Sequence, residues 1–387
     1  MSFTNRQANV ILLTVVSLLC CTTISTPAHA NFLTKAEEAT DFIQSNFYVS
    51  SERRYHPDVP MDPKKLPWDF MWGNGVIFSD LAIGAKYDPG KYKGPLYEFA
   101  SSLESNYWDP ACPVPGFNAY CSGPNGTDKY YDDNEWMVRD YLEAYSATND
   151  SRFLGMARST QKFVLSGWDD VLGGGIYWRL NHKEKNTCSN APAAAAALEL
   201  ARLGGDKDQV AWAEKIRAWT TKNFQAPDGL YYDGMDLDGT IVRHEFTYNT
   251  ALMIITEGEF YQLRHKKADL KEMRRLADGA LAAWEDPSNG SLHKTEDSPL
   301  FVQYLCEALL RTYDITHDVK YLDAVRGEAA YAYRSEHDPQ GGYWEKWTGK
   351  VHDSPETKTL IINASAARIF WLLVPYTDDS EPEVERH

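Results

Sequence analysis

Apolar residues recur at helical spacing along nearly the whole chain, and this periodicity restricts the fold more than any other feature. In EWMVRDYLEAY one face is made by Met137, Val138, Tyr141, Leu142 and Tyr145; in SPLFVQYLCEALLRTY it is Leu300, Phe301, Tyr304, Leu305, Ala308 and Leu309. Similar segments near 36–46, 74–84, 95–106, 151–166, 190–203, 208–223, 246–264, 267–284, 318–334 and 357–373 bring the expected total to twelve helices. Strand-like alternation is sparse, confined to short pieces such as GGIYWRL and GLYYDG.

The loops also repeat. GGGIYW at 173, DGLYYDG at 228, NGSLHK at 289 and GGYWEKW at 341 place glycine before aromatic or β-prone residues at a nearly regular interval. Self-similarity of this kind marks a repeated supersecondary unit. Pairs of antiparallel helices fit it, and six pairs close into an all-α, (α/α)6 barrel with one set of loops around a shared cavity. An open helical solenoid is the plain alternative, but its loops seldom need so many tryptophans and tyrosines.

Residues 1–30 read as an export signal: Arg6 in a short leading segment, an apolar run from Val10 to about Cys21, then Ala28-His29-Ala30 as the cleavage site. The run is too short to span a bilayer, and no membrane span is expected. Residues 31–376 are expected to form one catalytic domain, secreted or periplasmic, with 377–387 an acidic disordered tail. Removing the signal leaves 38 basic and 55 acidic residues, a net −17. That acidity argues against nucleic acid or anionic lipid as partner, because phosphate binding needs clustered Lys and Arg. A monomer acting on a neutral or cationic ligand is expected. Four cysteines remain, and Cys112 and Cys121, bracketing a Pro/Gly-rich loop, are expected to pair, with Cys188 and Cys306 free or paired.

YYDDNEW, residues 130–136, sets two carboxylates among aromatic rings. Asp132 with Glu135 three positions on resembles a capping box before a helix. Capping uses one aspartate, however, and asks for no flanking aromatics. Glycoside hydrolysis needs two carboxyls, one an acid and base, the other a nucleophile or base. Two such charges side by side do not ionise equally, and one pKa rises. Asp169-Asp170 is the rival pair, in a Gly-rich turn where aspartate is a common turn former. GMDLDGTIVRHE approaches a calcium loop but has Gly234 where the first ligand is required. Zinc spacing, P-loop, dinucleotide and serine-nucleophile signatures are missing, so no metal or cofactor is expected.

YYDDNEWM, GGGIYW followed by KNTCSNAP, then YYDG and FTYNTAL occur in the order seen in glycoside hydrolase family 76, the endo-α-1,6-mannanases, which the chain resembles from about Trp72 to Trp371. The resemblance implies an (α/α)6 barrel and a retaining, double-displacement attack on α-1,6-mannosidic bonds of a mannan chain. It makes Asp132 the nucleophile and Asp133 the acid/base. Asn186, Asn190, Asp233, Tyr248 and Asn249 match cleft positions, and Trp72, Tyr131, Trp136, Tyr177 and Trp178 are expected to offer the sugar aromatic faces. Asn190 also reads as an N-cap and Tyr248 as core. The chain departs from the family in the cysteine-bracketed loop and in APAAAAALEL, where larger residues are expected along the helix. A transglycosylase on the same site, another α-glycan hydrolase or a different sugar enzyme on this barrel, and a non-catalytic glycan-binding protein are the alternatives.

Overall fold

The computed structural model describes residues 32–111, 113–123, 126–292, 299–349 and 357–376. The expected export signal and acidic tail, and Cys112, lie outside the described residues; Cys121, expected to pair with Cys112, is a half-buried free thiol. Cys188 and Cys306 are buried free thiols.

Among the described residues, twelve α-helices alternate between two layers. The outer layer is α1 (Phe32–Asn46), α3 (Pro89–Asn106), α5 (Ser151–Ser166), α7 (Gln209–Phe224), α9 (Lys267–Trp284) and α11 (Val319–Tyr331). The inner layer is α2 (Met71–Tyr87), α4 (Tyr131–Thr148), α6 (Thr187–Glu199), α8 (Thr247–Arg264), α10 (Pro299–Thr316) and α12 (Leu360–Leu373). Each inner helix packs on the next, and α12 returns to α2, closing the ring; α1 covers α12, so the first and last helices seal one another. This is the (α/α)6 barrel.

The two layers differ in sequence for a physical reason. Outer helices such as α9 bury one stripe, Met273, Leu276, Ala277 and Ala280, and leave the other side in water. Inner helices are enclosed on all sides. Every residue of α6 is buried, including Ala191 and Ala193 to Ala197. Its small side chains let α4, α7 and α8 close on it, which explains the alanine run where larger residues were expected.

Each outer helix is followed by a tight loop that forms a small antiparallel bridge before the chain turns inward. The bridges Trp168 with Ile176, Gln225 with Tyr231, Asp286 with Ser291 and His337 with Tyr343 coincide with the glycine–aromatic repeats. The pairs Tyr48–Val49 with Arg54–Tyr55, and Trp108–Asp109 with Gly116–Phe117, complete the set of six. In the loop at 173, Gly174 and Gly175 hold positive φ, and a Cβ on Gly175 would lie 2.4 Å from the Trp219 ring.

A second repeat, not recognised in the sequence, locks three of these loops. KYYDDN (129–134), KNTCSN (185–190) and KTLIIN (358–363) each carry a lysine before an inner helix and an asparagine in its first turn. The lysines are buried and paired with loop aspartates: Lys129 with Asp109 at 2.8 Å, Lys185 with Asp169 and Lys358 with Asp338 at 2.6 Å. The asparagines accept from a bridge-strand N–H: Asn134 from Phe117, Asn190 from Ile176 and Asn363 from Tyr343. Each thereby satisfies a backbone donor that burial cuts off from water.

The GMDLDGTIV stretch forms a β-hairpin, Gly234–Asp236 against Ile241–Val242. Among the described residues no helix is long and apolar enough to cross a membrane.

Candidate active site

First-turn residues of all six inner helices meet around one cleft of about 510 Å³. Trp72 comes from α2, Asp132 and Asp133 from α4, Cys188 from α6, Tyr248 from α8, Phe301 from α10 and Ile361 from α12. Loops add Tyr120, Tyr130, Trp178, Asn186 and Asp233. Helix N-termini carry partial positive charge, so α4 supports a carboxylate at its first turn.

The acidic pair is not a cap. Helix α4 begins at Tyr131 with Tyr130 as its N-cap, and no side chain caps it. Glu135 does not reach back; it is buried and neither carboxyl oxygen meets a partner. The two aspartates are instead held in different ways. Asp132 Oδ2 accepts from Trp178 Nε1 at 2.9 Å and from the Cys188 thiol at 3.5 Å, while Oδ1 accepts from the Asp133 backbone N–H at 2.9 Å. Burial pushes the Asp132 pKa up to about 6, and these donors restrain the rise. Asp133, only 7 % exposed, is pushed well above the usual carboxylate range by burial and then by the neighbouring Asp132 and Asp69 charges. One carboxyl is therefore kept ready to ionise and the other ready to hold a proton.

Aromatic rings form the floor. Trp72 stacks on Trp136 with centroids 6.0 Å apart, Trp136 lies 4.5 Å from Tyr304, and Tyr248 stacks on Phe301 at 4.6 Å. Trp72 Nε1 donates to the Tyr304 hydroxyl at 3.1 Å, fixing the uppermost plate. Such rings offer flat apolar faces at small entropic cost.

Of the residues singled out from sequence, Trp72, Asp132, Asp133, Trp178, Asn186, Asp233 and Tyr248 line the cleft. Burial raises the Asp233 pKa while the Asn249 amide beside it pulls the other way. Asn249 itself is fully buried behind the wall. Trp136 supports the floor from below. Asn190 is spent on the Ile176 loop, Tyr131 stacks on Phe163, and Tyr177 donates to Asp169, so these three stand outside the cleft. Asp169, of the rival acidic pair, is bound to Lys185 and Tyr177. Cys188, Tyr120, Phe246 and Phe301 were not anticipated. Each lies at or near the start of an inner helix or on a loop entering one, a position the helix spacing marks once the ring is known.

Fold and cleft together define an (α/α)6-barrel protein with paired carboxylates at the mouth of its inner ring. The chain belongs to Glycosyl hydrolase family 76, whose family description matches residues 32–371. A mannan endo-1,6-alpha-mannosidase, DCW1 of Saccharomyces cerevisiae, is 30% identical over 125 residues, a match spanning 29% of this chain and 28% of that protein. The DCW1 of Candida glabrata is 31% identical over 122 residues, 28% of this chain and 27% of its own length. In fold, the chain is similar to a GH76 alpha-mannanase of Bacteroides thetaiotaomicron, with TM-score 0.83 and 23% identity over 90% of this chain and 97% of that one. It is also similar to an inactive variant of the alpha-1,6-mannanase GH76A of Salegentibacter sp. HEL1_6, with TM-score 0.74 and 22% identity over 89% and 99%. In that variant two consecutive aspartates are asparagines, and alpha-1,6-mannotriose is bound.

Proposed function

We propose that the protein is an endo-acting glycoside hydrolase that cleaves α-1,6-mannosidic bonds with retention of configuration. The observation that carries this reading is the unequal holding of two consecutive carboxyls in an aromatic-floored cleft. The Asp132 carboxylate attacks the anomeric carbon; the bond to the glycosidic oxygen breaks, and that oxygen takes the Asp133 proton and leaves as an alcohol. Asp133, now a carboxylate, removes a proton from water, which displaces Asp132 and releases a sugar of unchanged configuration. Trp178 and Cys188 hold Asp132 in place, and Trp72 and Phe301 face the apolar side of a sugar ring. The export-like segment 1–30 supports action outside the cytoplasm.

The test is incubation of residues 31–387 with unbranched α-1,6-mannan, following released oligosaccharides and their anomeric form. Short oligomers first released in the α-form are expected. Products longer than the starting oligosaccharide would instead reveal transfer to a second sugar, and β-products would overturn the retaining step.

A further inference from the structure

A second chamber of about 420 Å³ adjoins the cleft and shares three walls with it, Phe70, Tyr120 and Ile361. Beyond those walls it is lined by Lys65, Leu66, Trp68, Asp69 and Glu345, which supply one aromatic ring and polar groups of both signs. Nothing in the mechanism above uses it.

Asp69 is its telling residue. It sits five positions before Asn74, as Lys129, Lys185 and Lys358 sit five before Asn134, Asn190 and Asn363. At those three places a buried lysine locks a loop. Here an acid stands instead, 3 % exposed, with Oδ2 meeting no partner. Its Oδ2 packs against Gly73 in the first turn of α2, where no lysine holds the loop, and the space that such a lock would close belongs to the chamber.

The chamber lies on a definite side of the acidic pair. Asp132 is bound to Trp178 and Cys188, which cluster with Asn186 and Asp233. Asp133 shares none of those hydrogen bonds, and the groups that feel its charge or add to its own include Tyr120, on the wall shared with the chamber, and Asp69, on the chamber's lining. In the first step the acid must reach the oxygen that departs. The departing part of the chain therefore lies on the acid's side.

We propose that this chamber receives the leaving portion of the mannan, so that the chain crosses the cleft with its reducing end running past Phe70 and Tyr120 toward Trp68 and Asp69. The inference rests on the mannanase reading. It fixes the direction of the substrate and makes Trp68 a specificity-determining residue, through ring contact with the departing sugar. A site open on both sides of the scissile bond also accounts for endo action.

The experiment compares α-1,6-mannotetraose, labelled with 18O at its reducing end, with 4-nitrophenyl α-1,6-mannobioside, whose leaving group needs no sugar subsite. The variants are Trp68→Ala and, because Trp68 also packs on His56 and Arg54, Leu66→Trp, which narrows the chamber without removing that packing. In both, the ratio of kcat/KM for the tetraose to that for the aryl substrate is expected to fall about tenfold. Cleavage should also move toward the labelled end, releasing more labelled mannose. Trp68→Phe should restore most of the ratio. Equal losses on both substrates, or labelled fragments that grow longer, would overturn the assignment. A wild-type chain that cleaves neither substrate would overturn the mannanase reading itself, and the assignment with it.

Discussion

The indole N–H of Trp178 lies 2.9 Å from Oδ2 of Asp132, joining a loop aromatic to the first turn of α4. The backbone N–H of Tyr131 donates to the Trp178 carbonyl at 2.8 Å, so each segment positions the other. A donor to a carboxylate favours its charged form. Trp178→Phe removes that donor and should raise the Asp132 pKa by about one unit, the usual worth of a hydrogen bond to a charged group. The acidic limb of the kcat/KM profile, set by the coupled pair, should move upward from near pH 6. An unmoved limb would show that the indole does not tune the nucleophile.

Replacing either aspartate should separate activity from stability. Asp133→Asn removes the proton donor and should lower kcat roughly 10³-fold; Asp132→Asn should leave less. Both carboxyls have raised pKa values. Between the unfolded value near 4 and the folded value, the folded state holds more protons, so stability falls as pH rises through that window and stays low above it. The neutral amides lift that penalty. At pH 7 each variant should gain about 1 kcal/mol and melt a few degrees higher, with the gain vanishing near pH 4. Calorimetry at the two pH values checks it, and a variant less stable than wild type at pH 7 contradicts it.

The lysine locks should behave in the opposite way. Lys185 is fully buried, and its ammonium donates to Asp169, Val171 O and Gly174 O. Lys185→Met keeps the bulk of the stem but removes the ammonium from Gly174 O, while Val171 O keeps the Gly174 N–H at 3.3 Å. A loss of about 2 kcal/mol in urea unfolding is expected, since Asp169 is partly solvated and the buried Gly174 carbonyl dominates the cost. An unchanged midpoint would mean that water replaces the ammonium without cost.

The barrel was legible because its causes are local and periodic. All twelve helical segments show in the spacing of apolar residues, and boundaries differ where capping decides, as at α3, which starts at Pro89 because Asp88 accepts from the Lys91 N–H. The acidic pair was legible because two adjacent aspartates exceed what a cap requires. What the sequence hid is the direction in which a side chain is spent. Asn190 and Asn186 both belong to KNTCSN, yet Asn186 lines the cleft and Asn190 holds a loop. Reading KYYDDN, KNTCSN and KTLIIN together would have assigned Asn190 to the loop, since the same asparagine recurs in α12 where no catalytic pair stands. Cys188 could not be found that way. Its importance arises only from the approach of α6 to α4.

Below the floor, charges are arranged by a different logic. Glu307 is fully enclosed by guanidinium groups: Arg139 at 2.6 Å, Arg311 at 2.8 Å and Arg368 at 3.3 Å, on three inner helices. Although burial opposes its charge, these cations hold its carboxyl well below the ordinary range. The sign is then opposite to that of Asp132. A depressed carboxyl contributes stability that is present above its unfolded value near 4 and is lost as pH falls toward its folded one. Glu307→Gln leaves three arginines short of one negative charge in the interior and should cost about 3–5 kcal/mol at pH 7. The gap between wild type and variant should hold from pH 7 to about 5 and narrow below 4, as the unfolded wild-type chain takes up a proton that the folded carboxyl does not. Urea unfolding at pH 7, 5 and 3.5 measures it. A gap that widens on acidification would mean that the carboxyl is already neutral in the folded barrel, and that the arginines are balanced by Glu199 and Glu143 instead.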